Sequence, residues 1–135
     1  MSLQYKRYVP KDRYPTERND CTVRALAKAM NLTYDTAHKL MHNTTGRMNG
    51  RGASIKLAME CLKIPRIDCE DLKLQIDNGH ISAINFPTLA QVMPLLMRGR
   101  FVLRMRGHAF AVVDGIQYDM EYQGPRTKIL DIYEV

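Results

Sequence analysis

Hydrophobic spacing first becomes regular just after Asp20. Val23, Leu26, Ala27 and Met30 recur at three- and four-residue intervals, the period of one helix face, while Arg24 and Lys28 mark a polar stripe. Ala25 and Ala29 widen the apolar surface, so a largely buried helix is expected. Asp20 suits its N-cap, because a carboxylate can accept from the free amides of a first turn. Residues 1–19 have no such period. They hold three tyrosines, Pro10, Pro15 and many charges, which predicts an extended arm with a short strand near Gln4 to Tyr8. Thr33 opens a second helix over about Tyr34 to His42, and "NTTGRMNGRGAS" reads as loop. Ser54 caps a third helix, "IKLAMECLK", which stops before Pro65. Residues 67–86 suggest one or two short strands. Thr88 caps a fourth helix, "LAQVMPLLM", which Pro94 kinks or stops early and Gly99 ends.

Beyond Gly99 the period shortens toward two. "RFVLRMRG" alternates in part, and "TKILDIYEV" alternates well enough for a last strand. Between them "HAFAVVDGIQYDMEY" places two β-prone runs around Asp114-Gly115, a pair suited to a tight primed turn. Helices in the first part and strands in the second predict an α+β fold, with N-terminal helices packed on a C-terminal antiparallel sheet. One domain over 1–135 is expected, divided into an arm (1–19), a mainly helical part (20–98) and a sheet (99–135).

Composition refines this picture only slightly. The 135 residues can bury a core without staples. No run approaches the length of a membrane span, and the polar, basic start lacks a signal-peptide pattern, so a cytoplasmic setting is expected. Three cysteines without paired spacing argue against a disulfide framework. The net charge of +6, from 20 Lys and Arg against 14 Asp and Glu, admits an acidic partner such as nucleic acid. The basic residues are scattered, however, which fits ordinary surface charge. The tyrosines of the arm and the glycines of "GRMNGRG" offer stacking and phosphate-cradling only in outline, and packing and loop roles suit them better.

The position of Cys21 raises a chemical question. A thiol at a helix start is favoured as thiolate by free amides and the helix dipole, yet cysteine is also among the most buried residue types. A nucleophile needs a base. His38 and His42, four apart, could share a metal, but Cys61 and Cys69 lack zinc-like spacing, and a solvated helix face suits the pair better. His80, in "DNGHIS", reads as a turn residue. His108 opens the strand "HAFAVV" between Gly107 and Ala109, which leave its ring accessible. With Asp114-Gly115 as the turn, Val113 faces Ile116 and Phe110 faces Asp119. His108, Phe110, Asp119 and Glu121 then share one side, with Asp119 diagonal to His108 and Glu121 opposite. Either carboxylate could orient the ring, and Asp119 is preferred. Asp114 serves the turn.

On "NDCTVRALAKA" and "GHAFAVVDGIQYD" the chain resembles the papain-like cysteine peptidases. The likeness is to small members from tailed-phage genomes and to the double-glycine leader peptidases of bacteriocin exporters. It spans roughly Asn19 to Asp119. The resemblance implies Cys21 as nucleophile, His108 as general base and acid, and Asp119 as orienting group. It implies a protein or peptide substrate, no cofactor, no metal and no membrane, in the host cytoplasm if phage-encoded. These families place an oxyanion-hole glutamine some six residues before the cysteine. Here Pro15 stands at that offset, and Asn19 is the substitute candidate together with the Cys21 amide. Two functions follow from different classes: a thiol hydrolase using Cys21, His108 and Asp119, or a catalytically weak or inactive fold that binds a host protein or nucleic acid.

Overall fold

A computed structural model describes residues 3–15, 17–47, 52–78 and 86–135. Among these residues the chain is α+β, with five α-helices and a six-stranded mixed sheet. The strands are β1 (Tyr5–Arg7), β2 (Arg66–Asp68), β3 (Arg100–Met105), β4 (His108–Val113), β5 (Ile116–Asp119) and β6 (Asp131–Glu134). Their order is β1-β5-β4-β3-β6-β2. The helices are α1 (Cys21–Ala29), α2 (Tyr34–Thr45), α3 (Ile55–Cys61), α4 (Cys69–Ile76) and α5 (Leu89–Val92). A 3-10 turn over Met93–Leu96 takes Pro94 at its start and continues α5, as an early stop at proline requires.

The sheet is broader than the expected C-terminal antiparallel one. The arm supplies β1, which pairs parallel to β5 with Tyr5 against Gln117 and Arg7 against Asp119. The middle of the chain supplies β2, antiparallel to β6 at the opposite edge. Residues 67–86 also hold a helix, α4, where strands were expected. Its N-cap Asp68 accepts from the amides of Glu70 and Asp71, and only Cys69 is buried. With so little apolar face, α4 shows almost no helical period in sequence. The four antiparallel pairings β3–β4, β4–β5, β3–β6 and β2–β6 complete the sheet.

Side-chain alternation divides the core between the two sheet faces. Ala109 and Ala111 of β4 lie with Val102 and Tyr133 under α1, whose Val23, Leu26, Ala27 and Ala29 fill that side with Tyr34, Ala37 and Met41 of α2 and Ala58 and Met59 of α3. Phe110 and Val112 turn to the other face, with Phe101, Leu103, Ile129 and Ile132, under Leu89, Val92 and Met93. Alanines on β4 let α1 approach the strand closely, and that contact brings the start of α1 beside the start of β4.

Candidate active site

Asp20 occupies the N-cap position of α1, but its carboxylate makes no capping bond. This corrects the expectation that it would cap the first turn. Its oxygens instead accept from Arg13 Nε (2.7 Å), Tyr34 Oη (2.8 Å) and Arg24 Nε (3.0 Å). The carboxyl is 2 % exposed. Burial opposes its charge, yet these donors hold its pKa down to about 2. The first amides of α1 are therefore left uncapped by a side chain, at the residue where the thiol stands.

Cys21 is half-buried at the first position of α1. Its thiol lies near the His108 ring and the Ala109 amide. Burial works against ionisation, but those two neighbours and the positive charges of His108 and Arg24 together lower its pKa below the ordinary thiol value. His108 is the first residue of β4, so its ring stands at the mouth of the sheet. Nε2 lies 2.6 Å from Asp119 Oδ2. That leaves Nδ1 as the ring nitrogen for the thiol. The bond to Asp119 first, and the nearby Cys21 thiol second, outweigh burial and raise the His108 pKa to about 9. A lowered thiol and a raised imidazole both shift the pair toward thiolate and imidazolium.

Asp119 ends β5 and is 3 % exposed. Besides His108 it accepts from Arg24 Nη1 (3.0 Å), the Met120 amide (2.7 Å) and Gln123 Nε2 (3.2 Å). Burial would raise its pKa, but the His108 bond leads a set of interactions that lowers it. Of the two carboxylates the hairpin left open, Asp119 meets the ring, while Glu121 is exposed. The expected turn register holds, with Val113 opposite Ile116 and Ala111 opposite Tyr118. Asp114 and Gly115 both have positive φ, as a primed turn requires, and Asp114 Oδ1 accepts from the Gly99 amide.

Asn19 has φ 52°, a left-handed conformation that asparagine tolerates better than most side chains. It lines the same cavity as Cys21 and His108, a space of about 400 Å³ whose other wall is the start of α3 and the end of β3. A carbonyl in that space would lie near the Asn19 side chain and the Cys21 amide, two donors of the kind an oxyanion needs.

Several residues at the site escaped the sequence reading. Arg24, on the polar stripe of α1, is a guanidinium clamped between Asp20 and Asp119. The Asp20–Arg24 spacing of four was the available signal. Arg47, taken as part of a loose loop, is 3 % exposed and donates to Glu17 and to the Arg18 carbonyl (3.2 Å). It ties the loop after α2 to the segment just before Cys21. Gln117 is wholly buried, and its amide bonds the Gln123 backbone at 2.8 and 2.9 Å, fixing the loop from which Gln123 reaches Asp119.

The other histidines lie elsewhere. His38 is not on a solvated face: its side chain is 12 % exposed, and Nε2 lies 3.1 Å from Arg47 Nη1 and 3.6 Å from Glu17. His42 Nδ1 meets the Arg47 carbonyl at 2.8 Å. His80, and residues 48–51 of the glycine-rich loop, lie outside the described residues. No helix among the described residues is long and apolar enough to cross a membrane.

Comparison with family models, curated proteins and solved structures gives no match. The reading of the site therefore rests on its own geometry.

Proposed function

We propose that the chain is a thiol hydrolase of papain-like arrangement, acting on peptide or isopeptide bonds. One observation carries this reading: a thiol at a helix start shares a cavity wall with an imidazole whose Nε2 is held at 2.6 Å by a buried carboxylate. Three side chains from α1, β4 and β5 converge in the order nucleophile, base and orienting group. The papain-like reading draws support from the helix-then-sheet order and from the antiparallel pairing of the strands that bear His108 and Asp119.

In this mechanism the Cys21 thiolate adds to the carbonyl carbon, and the carbonyl electron pair moves to oxygen. Asn19 and the Cys21 amide donate to that oxyanion. Collapse breaks the C–N bond as the His108 imidazolium gives its proton to the departing amine, leaving a thioester. Water then adds to the thioester while His108 takes its proton. The C–S bond breaks, the acid leaves, and thiolate and imidazolium are restored.

Iodoacetamide labelling of the native protein at pH 7 tests the reading. Cys21 is expected to react well ahead of the exposed Cys61, and His108→Ala is expected to abolish that lead. Equal labelling of Cys21 and Cys61 in the wild-type protein would overturn catalysis and leave a binding role on the same fold.

A further inference from the structure

We propose that the cavity beside Cys21 receives a peptide segment with an acidic side chain next to the scissile bond, a specificity that rests on the thiol-hydrolase reading above. Among the described residues lining this cavity of about 400 Å³ there is no aspartate or glutamate. Its fixed charges are Lys56, on the first turn of α3, and Arg104, near the end of β3. Lys56 is exposed and has no ion-pair partner among the described residues. Glu60, one turn further along α3, does not pair with it.

The charge of Arg104 is only half answered. Its Nε donates to Asp131 Oδ2 at 2.5 Å, but Asp131 Oδ1 also takes Arg66 Nη1 at 2.9 Å. One buried carboxylate thus serves two guanidiniums, with Asp68 also acting on Arg66. Neither Nη of Arg104 has a protein acceptor among the described residues. Beyond the His108 ring, Asp119 and Glu121 line a separate cavity of about 330 Å³. Asp119 is already committed to His108, Arg24 and Gln123, and Glu121 does not reach the first cavity.

Among the described residues the cleft side of His108 thus carries cations without carboxylates, whereas the far side holds Asp119 and Glu121 together with Arg24. A cavity of this size keeps its wall charges within about 8 Å of a bound group, the screening length at physiological salt. Its protein walls concentrate the field. A free guanidinium edge is the fork that carboxylates accept in two parallel bonds. A carboxylate side chain is thus the chemistry this wall lacks, whereas a basic one would meet uncompensated repulsion.

Two alkylating agents of similar size separate this specificity from catalysis itself. Rates of Cys21 alkylation by iodoacetate and iodoacetamide are measured, and their ratio cancels any change in the thiol's own reactivity. Lys56→Glu is expected to lower the ratio roughly fivefold at low ionic strength, and Arg104→Gln to lower it by less. The difference should shrink at high salt. A ratio within twofold of wild type in both variants overturns the proposal while leaving the hydrolase reading standing. Failure of wild-type Cys21 to outreact Cys61 overturns the hydrolase reading and this one with it. If a variant does not fold, the wild-type protein decides. The alternating hexapeptide of Ala and Glu should protect Cys21 from iodoacetamide better than that of Ala and Lys, and equal protection overturns the proposal.

Discussion

Cys21 and Cys69 carry the same thiol in opposite surroundings. Cys69 is sealed under the sheet, where burial leads the causes that push its pKa up to about 12. Cys21 is also largely enclosed, but His108, the Ala109 amide and Arg24 reverse the sign. The two charged neighbours on the other side of the ring act on different halves of the pair, which separates their effects. Asp119→Asn removes the leading support of the His108 charge. The imidazolium should then lose its proton below about 9, and hydrolysis should fall by roughly 100-fold or more. Arg24→Gln removes a positive charge that favours the thiolate and leaves Asp119 less compensated for. The Cys21 pKa should then rise and that of His108 should not fall. Rates of Cys21 alkylation against pH distinguish the two: Asp119→Asn moves the alkaline limb down, and Arg24→Gln moves the acid limb up. A downward alkaline shift in Arg24→Gln would contradict the assignment. Arg24 is nearly buried between two carboxylates, so its loss should also cost about 3 kcal/mol of stability.

At the scale of elements, the site depends on how closely α1 approaches β4. Ala109 and Ala111 lie beneath the helix at 2 % and 0 % exposure. Ala111→Leu should overpack this contact at a cost of about 1–3 kcal/mol. It should also displace the helix start from His108, so that the lead of Cys21 over Cys61 in alkylation falls together with the urea midpoint. A lower midpoint with the lead intact would separate packing from the site. The elements that carry Cys21, His108 and Asp119 were legible because each has a strong local signal. The period of α1 put Cys21 at a helix start, and the Asp114-Gly115 turn with the alternation of β4 and β5 put His108 on one side with Asp119 and Glu121, leaving the choice between the two carboxylates open. What could not be read depends on distant partners. The parallel pairing of β1 holds the end of β5, with Tyr5 Oη and the Tyr8 amide both donating to the Asp119 carbonyl, and three arm residues carry too little pattern to predict that. Asp20 looked like a cap because its alternative partners, Arg13, Arg24 and Tyr34, meet it only in the folded chain. α4 lacks the buried face from which a helix is usually read.

For the molecule as a whole, the same ionisations link the site to stability. Asp20 has a folded pKa near 2, below its unfolded value of roughly 3.9. Its contribution, roughly 2–3 kcal/mol, is present in full above that unfolded value and is lost as pH falls through about 2. His108 runs the opposite way. Its folded pKa of about 9 exceeds an unfolded value of roughly 6.5, so its contribution is complete below pH ~6.5 and is lost as pH rises through about 9. Cys21 has a lowered folded pKa, so its contribution is complete above an unfolded value of roughly 8.5 and fades as pH falls through the folded one. Between pH ~6.5 and ~8.5 the loss at His108 and the gain at Cys21 oppose each other. Where the folded thiol is ionised and the folded imidazole still protonated, the folded and unfolded pairs each hold one proton and the slope of stability with pH is close to zero. Cys21→Ala removes the gain but keeps Asp119 against the ring. Its stability should therefore decline more steeply across this window than that of the wild-type protein. Urea denaturation at half-unit pH steps measures both slopes. Parallel curves for the two proteins would mean that no proton has passed from thiol to imidazole on folding.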